Sequence, residues 1–126
     1  MAVRSAKELK VYGKAYELAM QIFSVSKRFP PEEPYALTSQ IHRSSRSVCQ
    51  NPREAWAKRR YEAHFISKFT DCDGENGETD TSLDFSKDSG YITAPEHKQL
   101  AAMCEEVGKM LGSMILNPSN FLLTDS

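Results

Sequence analysis

Cysteine is scarce in this chain, and what there is does not pair. Cys49, Cys72 and Cys104 are three thiols in 126 residues, too few and too scattered for a disulfide framework. No Cys-x-x-Cys or Cys-x-x-His spacing occurs, so a structural zinc site has no ligand set. Three reduced, buried thiols are expected, because cysteine is among the most often buried residue types. Long apolar runs are missing as well. Nothing approaches the roughly 18 consecutive apolar residues of a membrane span, so no membrane partner is expected. Met1-Ala2-Val3-Arg4-Ser5-Ala6-Lys7 has charge but no apolar stretch behind it, which predicts no signal peptide and a cytoplasmic location.

The chemistry-bearing patterns are also thin. Carboxylate-bridged metal sites in helical bundles use Glu-x-x-His pairs, and none occurs here; Glu62-Ala63-His64 has the wrong spacing. Asp71, Asp73 and Glu75 mimic the first ligands of a calcium loop. The glycine that loop requires is Asn76 here, and its bidentate glutamate is Ser82. A cysteine could be matched on paper with His42, His64 or His97, but no spacing fixes their geometry. The expectation is a protein without metal or cofactor and without enzymatic activity, each histidine lying at a surface or interface.

Punctuation is what the sequence does have. Phe29-Pro30-Pro31-Glu32-Glu33-Pro34 and Asp88-Ser89-Gly90-Tyr91-Ile92 interrupt long stretches of helical period, with a weaker break from Asn51-Pro52 to Arg60. Four helices are predicted. The first runs from about Ser5, placed with Glu8 at capping-box spacing, to Arg28. Its apolar residues form two registers, Leu9-Tyr12-Tyr16-Ala19-Phe23 and Val11-Ala15-Leu18-Ile22-Val25, read as one wide core face. The second starts near Pro34 or Tyr35 and turns Leu37, Ile41, Ser44, Ser45 and Val48 inward. Pro52 would cost ~3 kcal/mol in a helix interior, and Asn51-Pro52-Arg53-Glu54 reads as a fresh N-terminus, so a kink or re-start is predicted there. The third carries Tyr61, Phe65, Phe69, Cys72, Asn76, Thr79 and Leu83 on one face, although Asp71–Glu78 has the propensity of a loop. The fourth opens with a Thr93–Glu96 capping box. It carries Leu100, Met103, Val107, Met110, Leu111, Met114 and Ile115, and Asn117-Pro118 stops it. One domain over 1–116 is expected, with a tail, 117–126, that docks or frays.

Several of these segments are recognisable. Leu9-Lys10-Val11-Tyr12-Gly13-Lys14-Ala15-Tyr16-Glu17-Leu18 resembles the opening helix of the four-helix-bundle proteins encoded in intervening sequences of 23S rRNA genes. Tyr35-Ala36-Leu37-Thr38-Ser39-Gln40-Ile41-His42-Arg43-Ser44, Glu78-Thr79-Asp80-Thr81 and Lys87-Asp88-Ser89-Gly90-Tyr91-Ile92 are similar to later family segments. The resemblance covers about residues 7–116. It implies an all-α, up-down-up-down four-helix bundle, helix rather than loop over 71–84, and a homopentameric ring. A more distant likeness to the accessory proteins of diversity-generating retroelements implies RNA, DNA or a nucleic-acid-handling protein as partner. The chain departs from the family at Gln50-Asn51-Pro52-Arg53-Glu54-Ala55, where Pro52 and Arg53 replace the usual residues.

Charge supplies the remaining signal. Residues 1–70 hold 13 Lys/Arg against 6 Asp/Glu, and residues 71–126 hold 3 against 11. The candidate nucleic-acid-binding set is His42, Arg43, Arg46, Arg53, Lys58, Arg59, Arg60, His64 and Lys68. Such cations neutralise phosphates and release counterions, and Trp56 and Tyr61 among them could stack on bases. The competing reading is a solvated basic face paired with the acidic second half of helix three, in a ring that assembles without nucleic acid. A small-ligand or metal enzyme at a subunit interface is the third alternative. Asn76 and Thr79 are expected to form an internal hydrogen-bond network, or else a subunit contact near a lumen lined by Glu78 and Asp80.

Overall fold

Each helix forms where its apolar stripe and its stop signals agree. The computed structural model describes residues 5–32 and 36–123. Four helices lie within them: α1 (Lys10–Ser26), α2 (Leu37–Ala57), α3 (Glu62–Asp88) and α4 (Ala94–Leu116), with single 3-10 turns at Ala6–Glu8 and Pro118–Asn120. There is no strand among the described residues. The expected start of α2 at Pro34 or Tyr35 lies outside them.

Cross-helix pairs show the topology. Lys14 meets Glu106 and Gln21 meets Gln99, so α1 and α4 run antiparallel. Arg43 meets Glu75 and Glu54 meets Lys68 across α2 and α3. Asn76 reaches Cys104 and Asp84 reaches His97 across α3 and α4. Each helix packs on its sequence neighbour, and α4 closes the bundle on α1. The result is the up-down-up-down four-helix bundle that the periodicity implies.

The interior has two apolar clusters. Val11, Ala15, Val48, Phe65, Phe69, Val107 and Leu111 fill one end. Leu18, Ile22, Ile41, Leu83 and Leu100 fill the other. On α2 and α3 the two are separated by a buried polar band of Ser44, Ser45, Asn76 and Thr79. Thr79 Oγ1 donates to Ser44 Oγ at 2.8 Å, and Ser44 donates to the Ile41 carbonyl at 3.4 Å. Asn76 Nδ2 donates to the Cys104 carbonyl at 2.9 Å. This is the internal network expected of these residues, save that Asn76 Oδ1 has no partner.

The helix ends show which signals the fold uses. Thr93 and Glu96 form a full capping box, the Thr93 hydroxyl accepting from the Glu96 amide (3.2 Å) and the Glu96 carboxylate from the Thr93 amide (2.9 Å). At the end of α3, Gly90 takes φ 79°. The Tyr91 amide then donates to the Ser86 carbonyl and the Gly90 amide to that of Lys87, the Schellman stop that favours glycine. Ser5 and Glu8 do not start α1: the Ser5 side chain makes no cap, Leu9 is extended, and the helix begins at Lys10. Burial of Leu9 accounts for this, since the extended residue drops its side chain into the core.

Of the kink or re-start expected at Pro52, the re-start does not occur. The helix runs through it, and Pro52 itself is buried. Its ring removes the amide that the Val48 carbonyl would accept from. That carbonyl accepts instead from the Cys72 thiol of α3, at 3.3 Å. A buried acceptor orphaned within one helix is thus satisfied from the next.

Two further corrections concern register. Tyr61 does not join the inner face of α3; it is 61% exposed, just before the helix starts. The two registers of α1 separate. Val11, Ala15, Leu18 and Ile22 are buried, whereas Tyr16, Met20 and Phe23 stay largely exposed. The glycine-containing stretch of α3 is helix, as the family resemblance implies. The tail docks on its own bundle: Phe121 stacks on Phe65 with ring centroids 6.4 Å apart, and the Leu123 amide donates to the Arg59 carbonyl at 3.2 Å.

Candidate nucleic-acid interface

Eight of the nine basic positions fall into three environments, set by their helices and by what faces them. On the α2–α3 flank, cations meet acids. Arg43 places Nη1 3.0 Å from a Glu75 oxygen and Nη2 2.5 Å from a Glu78 oxygen. Both contacts hold its guanidinium more firmly in the charged form. Lys68 sits 2.7 Å from Glu54, whose carboxylate raises the ammonium pKa. Glu78 therefore answers a neighbouring helix within its own subunit.

His42 lies half-buried between α1 and α2. Its ring is 5.8 Å from that of Phe23, and its Nε2 is 2.6 Å from Ser26 Oγ. Ser26 donates to the Phe23 carbonyl at 2.9 Å, so the histidine is the donor in the Ser26–His42 pair. Burial first, and the Arg46 charge second, lower the His42 pKa. The ring is therefore neutral at pH 7 and its Nε2 is not free to act as a base. This pair ties two helix ends; it is not a nucleophile with its base.

The third environment is the pole where α2 ends and α3 begins. Arg53, Lys58, Arg60 and His64 are exposed there, and among the described residues none of them is ion-paired. Arg59 is half-buried. Its guanidinium lies over the Trp56 ring at 4.1 Å, and Nη1 donates to the Trp56 carbonyl at 2.8 Å. The stacking covers one face of Trp56, while Tyr61 is open beside His64, 5.7 Å between rings. Because α1 and α2 are antiparallel, Lys7 and Lys10 reach the same pole, where the turn before α1 packs against α2. Spacing along the sequence could not place these two lysines; the antiparallel pairing of α1 with α2 does. Arg46 stands apart, exposed on the α1–α2 face.

Nothing in the pole assembles covalent chemistry. All three cysteines are free and buried. Burial pushes Cys49 up to about 11 and Cys104 to about 12, and raises Cys72 too, so the thiols stay protonated near neutrality. Asp71, Asp73 and Glu75 lie along continuous helix rather than around a loop. No helix among the described residues is long and apolar enough to cross a membrane.

The sequence profile of the 23S rRNA-intervening sequence proteins matches residues 7–113. The chain belongs to that family. Among solved structures it is similar to a protein of unknown function from the S23 ribosomal protein family of Bacteroides thetaiotaomicron. The two share 30% identity over 85% of this chain and 96% of that one, with a TM-score of 0.76. No curated protein matches it. The 23S rRNA-intervening sequence resemblance read from the helix-opening and turn segments is thus correct, and so is the bundle it implied.

Proposed function

We propose that this chain is a non-enzymatic, self-assembling binding protein whose α2–α3 pole holds the phosphates of single-stranded nucleic acid. One observation carries the reading. Arg53, Lys58 and Arg60 share one end of the bundle with no carboxylate holding any of them among the described residues, while other basic residues of the same helices are neutralised. Unpaired cations release counterions when they meet phosphate, and Tyr61 offers an exposed ring for a base to stack on. The overall charge of −1 makes this a weak, local interaction.

Fluorescence anisotropy of a labelled generic RNA oligonucleotide tests it. About three contacted phosphates give a slope of log affinity against log salt near −2. Affinity is then expected to fall about 15-fold between 50 and 200 mM salt. Absence of binding at 50 mM removes the reading. It would leave assembly without nucleic acid, which the Arg43 and Lys68 pairings favour.

A further inference from the structure

Beside the cationic pole, a hollow of about 450 Å³ opens between α1 and α2. Tyr12, Tyr16, Met20 and Phe23 line it from α1, three or four residues apart and so on one helix face, and Arg46 and Gln50 line it from α2. No Asp or Glu lines it, and its one charged side chain is Arg46. That guanidinium is exposed and, among the described residues, is not ion-paired.

The rings form a platform. Tyr12 is half-buried against the core cluster that holds Val11 and Val48, and Tyr16 stacks on it with centroids 6.2 Å apart and planes 28° from parallel. Phe23 is already engaged, with the His42 ring 5.8 Å away and Lys27 Nζ 4.9 Å from its centroid. Tyr16 is 53% exposed and is the ring left open. An exposed ring backed by a second one presents a fixed π face, and every base has a π face to set against it. The hollow also leads to the pole. Arg46, Gln50 and Arg53 follow one another at spacings of four and three residues, so they share one face of α2 over about 10 Å, and Arg53 is one of the free cations of the pole.

We infer that a single strand held by its phosphates at the pole continues along α2 into this hollow, where Arg46 takes a further phosphate and Tyr16 stacks an unpaired base. This rests on the phosphate-binding reading of the pole and gives it a direction, toward Arg46, and a preference, for strands whose bases are free. Charge favours this occupant. A purely apolar partner would cover Arg46 without a counter-charge, and a covered, unpaired cation is costly, whereas a phosphate supplies the charge and the base covers the ring.

Fluorescence anisotropy of a labelled single-stranded RNA of generic sequence, with the full chain, tests it. The three pole cations alone give a slope of log affinity against log salt near −2, and the Arg46 contact steepens it by about 0.7. Arg46→Gln is expected to return the slope to near −2. Tyr16→Ala is expected to weaken binding about tenfold at constant slope, and Tyr16→Phe to keep the wild-type affinity, since stacking needs the ring and not the hydroxyl. Helicity by circular dichroism confirms that the variants fold. A wild type that does not bind at 50 mM salt overturns the pole and the track together. A wild type that binds, with an affinity indifferent to Tyr16→Ala or a slope indifferent to Arg46→Gln, overturns the track alone. A sedimentation coefficient of the RNA-free protein that changes with Tyr16→Ala assigns the hollow to a contact between copies, and that also overturns the track.

Discussion

Phe65→Ala is expected to lower the unfolding free energy by about 4 kcal/mol, a large fraction of what a domain of this size has. Phe65 is fully buried, sits edge-to-face with Phe69 at 4.8 Å between centroids, and receives the stacked ring of Phe121. Truncation removes the transfer free energy of the ring and leaves a cavity between three helices and the tail. Part of the cost comes from lost aromatic geometry, worth about 0.5–1.5 kcal/mol per pair. Urea denaturation at fixed protein concentration measures it. Protease sensitivity near Leu122 should rise in parallel, because the tail loses the ring it docks on. A loss below about 1 kcal/mol would show that Phe65 is not the keystone of its cluster.

The second large effect is a coupling. Cys72→Ala is expected to cost about 3 kcal/mol, more than the removed sulfur alone explains, because the Val48 carbonyl is then buried without a donor. In a Pro52→Ala background residue 52 regains its amide, which can close the ordinary helical bond to Val48. There Cys72→Ala should cost about 1–2 kcal/mol less. Pro52→Ala by itself should stabilise, since an interior proline is ~3 kcal/mol worse than alanine, less the packing of the buried ring. A double-mutant cycle by chemical denaturation reads the coupling directly. Strict additivity would mean that the thiol is a packing group only and that the proline is accommodated in another way.

These two residues also show where the sequence is legible. Cys72 falls on the inner stripe of α3 by period alone. Pro52 reads as a break because propensity is local, whereas the donor that rescues it comes from 20 residues further along the chain. The glycines at 74 and 77 mislead for the same reason: each weakens the helix locally, and packing of Phe69, Cys72, Thr79 and Leu83 on either side carries the helix across. Thr93, Gly90 and the fourth helix are plain because their signals are complete within a few residues. Ser5 fails as a cap because burial of Leu9 outweighs one exposed hydrogen bond. On α1 the pattern gives two apolar registers that read as one core face; the positions of α2 and α4 narrow that face, leaving Tyr16, Met20 and Phe23 outside.

The basic set is legible in the same partial way. Residue types and clustering mark α2 and the turn after it as cationic. Which cations are free depends on register between α2 and α3, which sets Arg43 against Glu75 and Glu78, and Lys68 against Glu54. His42 belongs to the basic set by residue type, but burial beside Phe23 and Ser26, with the Arg46 charge, lowers its pKa.

On the proposed function, pairing inside the bundle separates phosphate-binding cations from structural ones, and the salt slope of RNA affinity tests this. Arg53→Gln, Lys58→Gln and Arg60→Gln combined should flatten the slope by about 2, since each lost phosphate contact removes about 0.7. Arg43→Gln with Lys68→Gln should leave the slope at its wild-type value. Equal flattening by both sets, or flattening by the second alone, would contradict it.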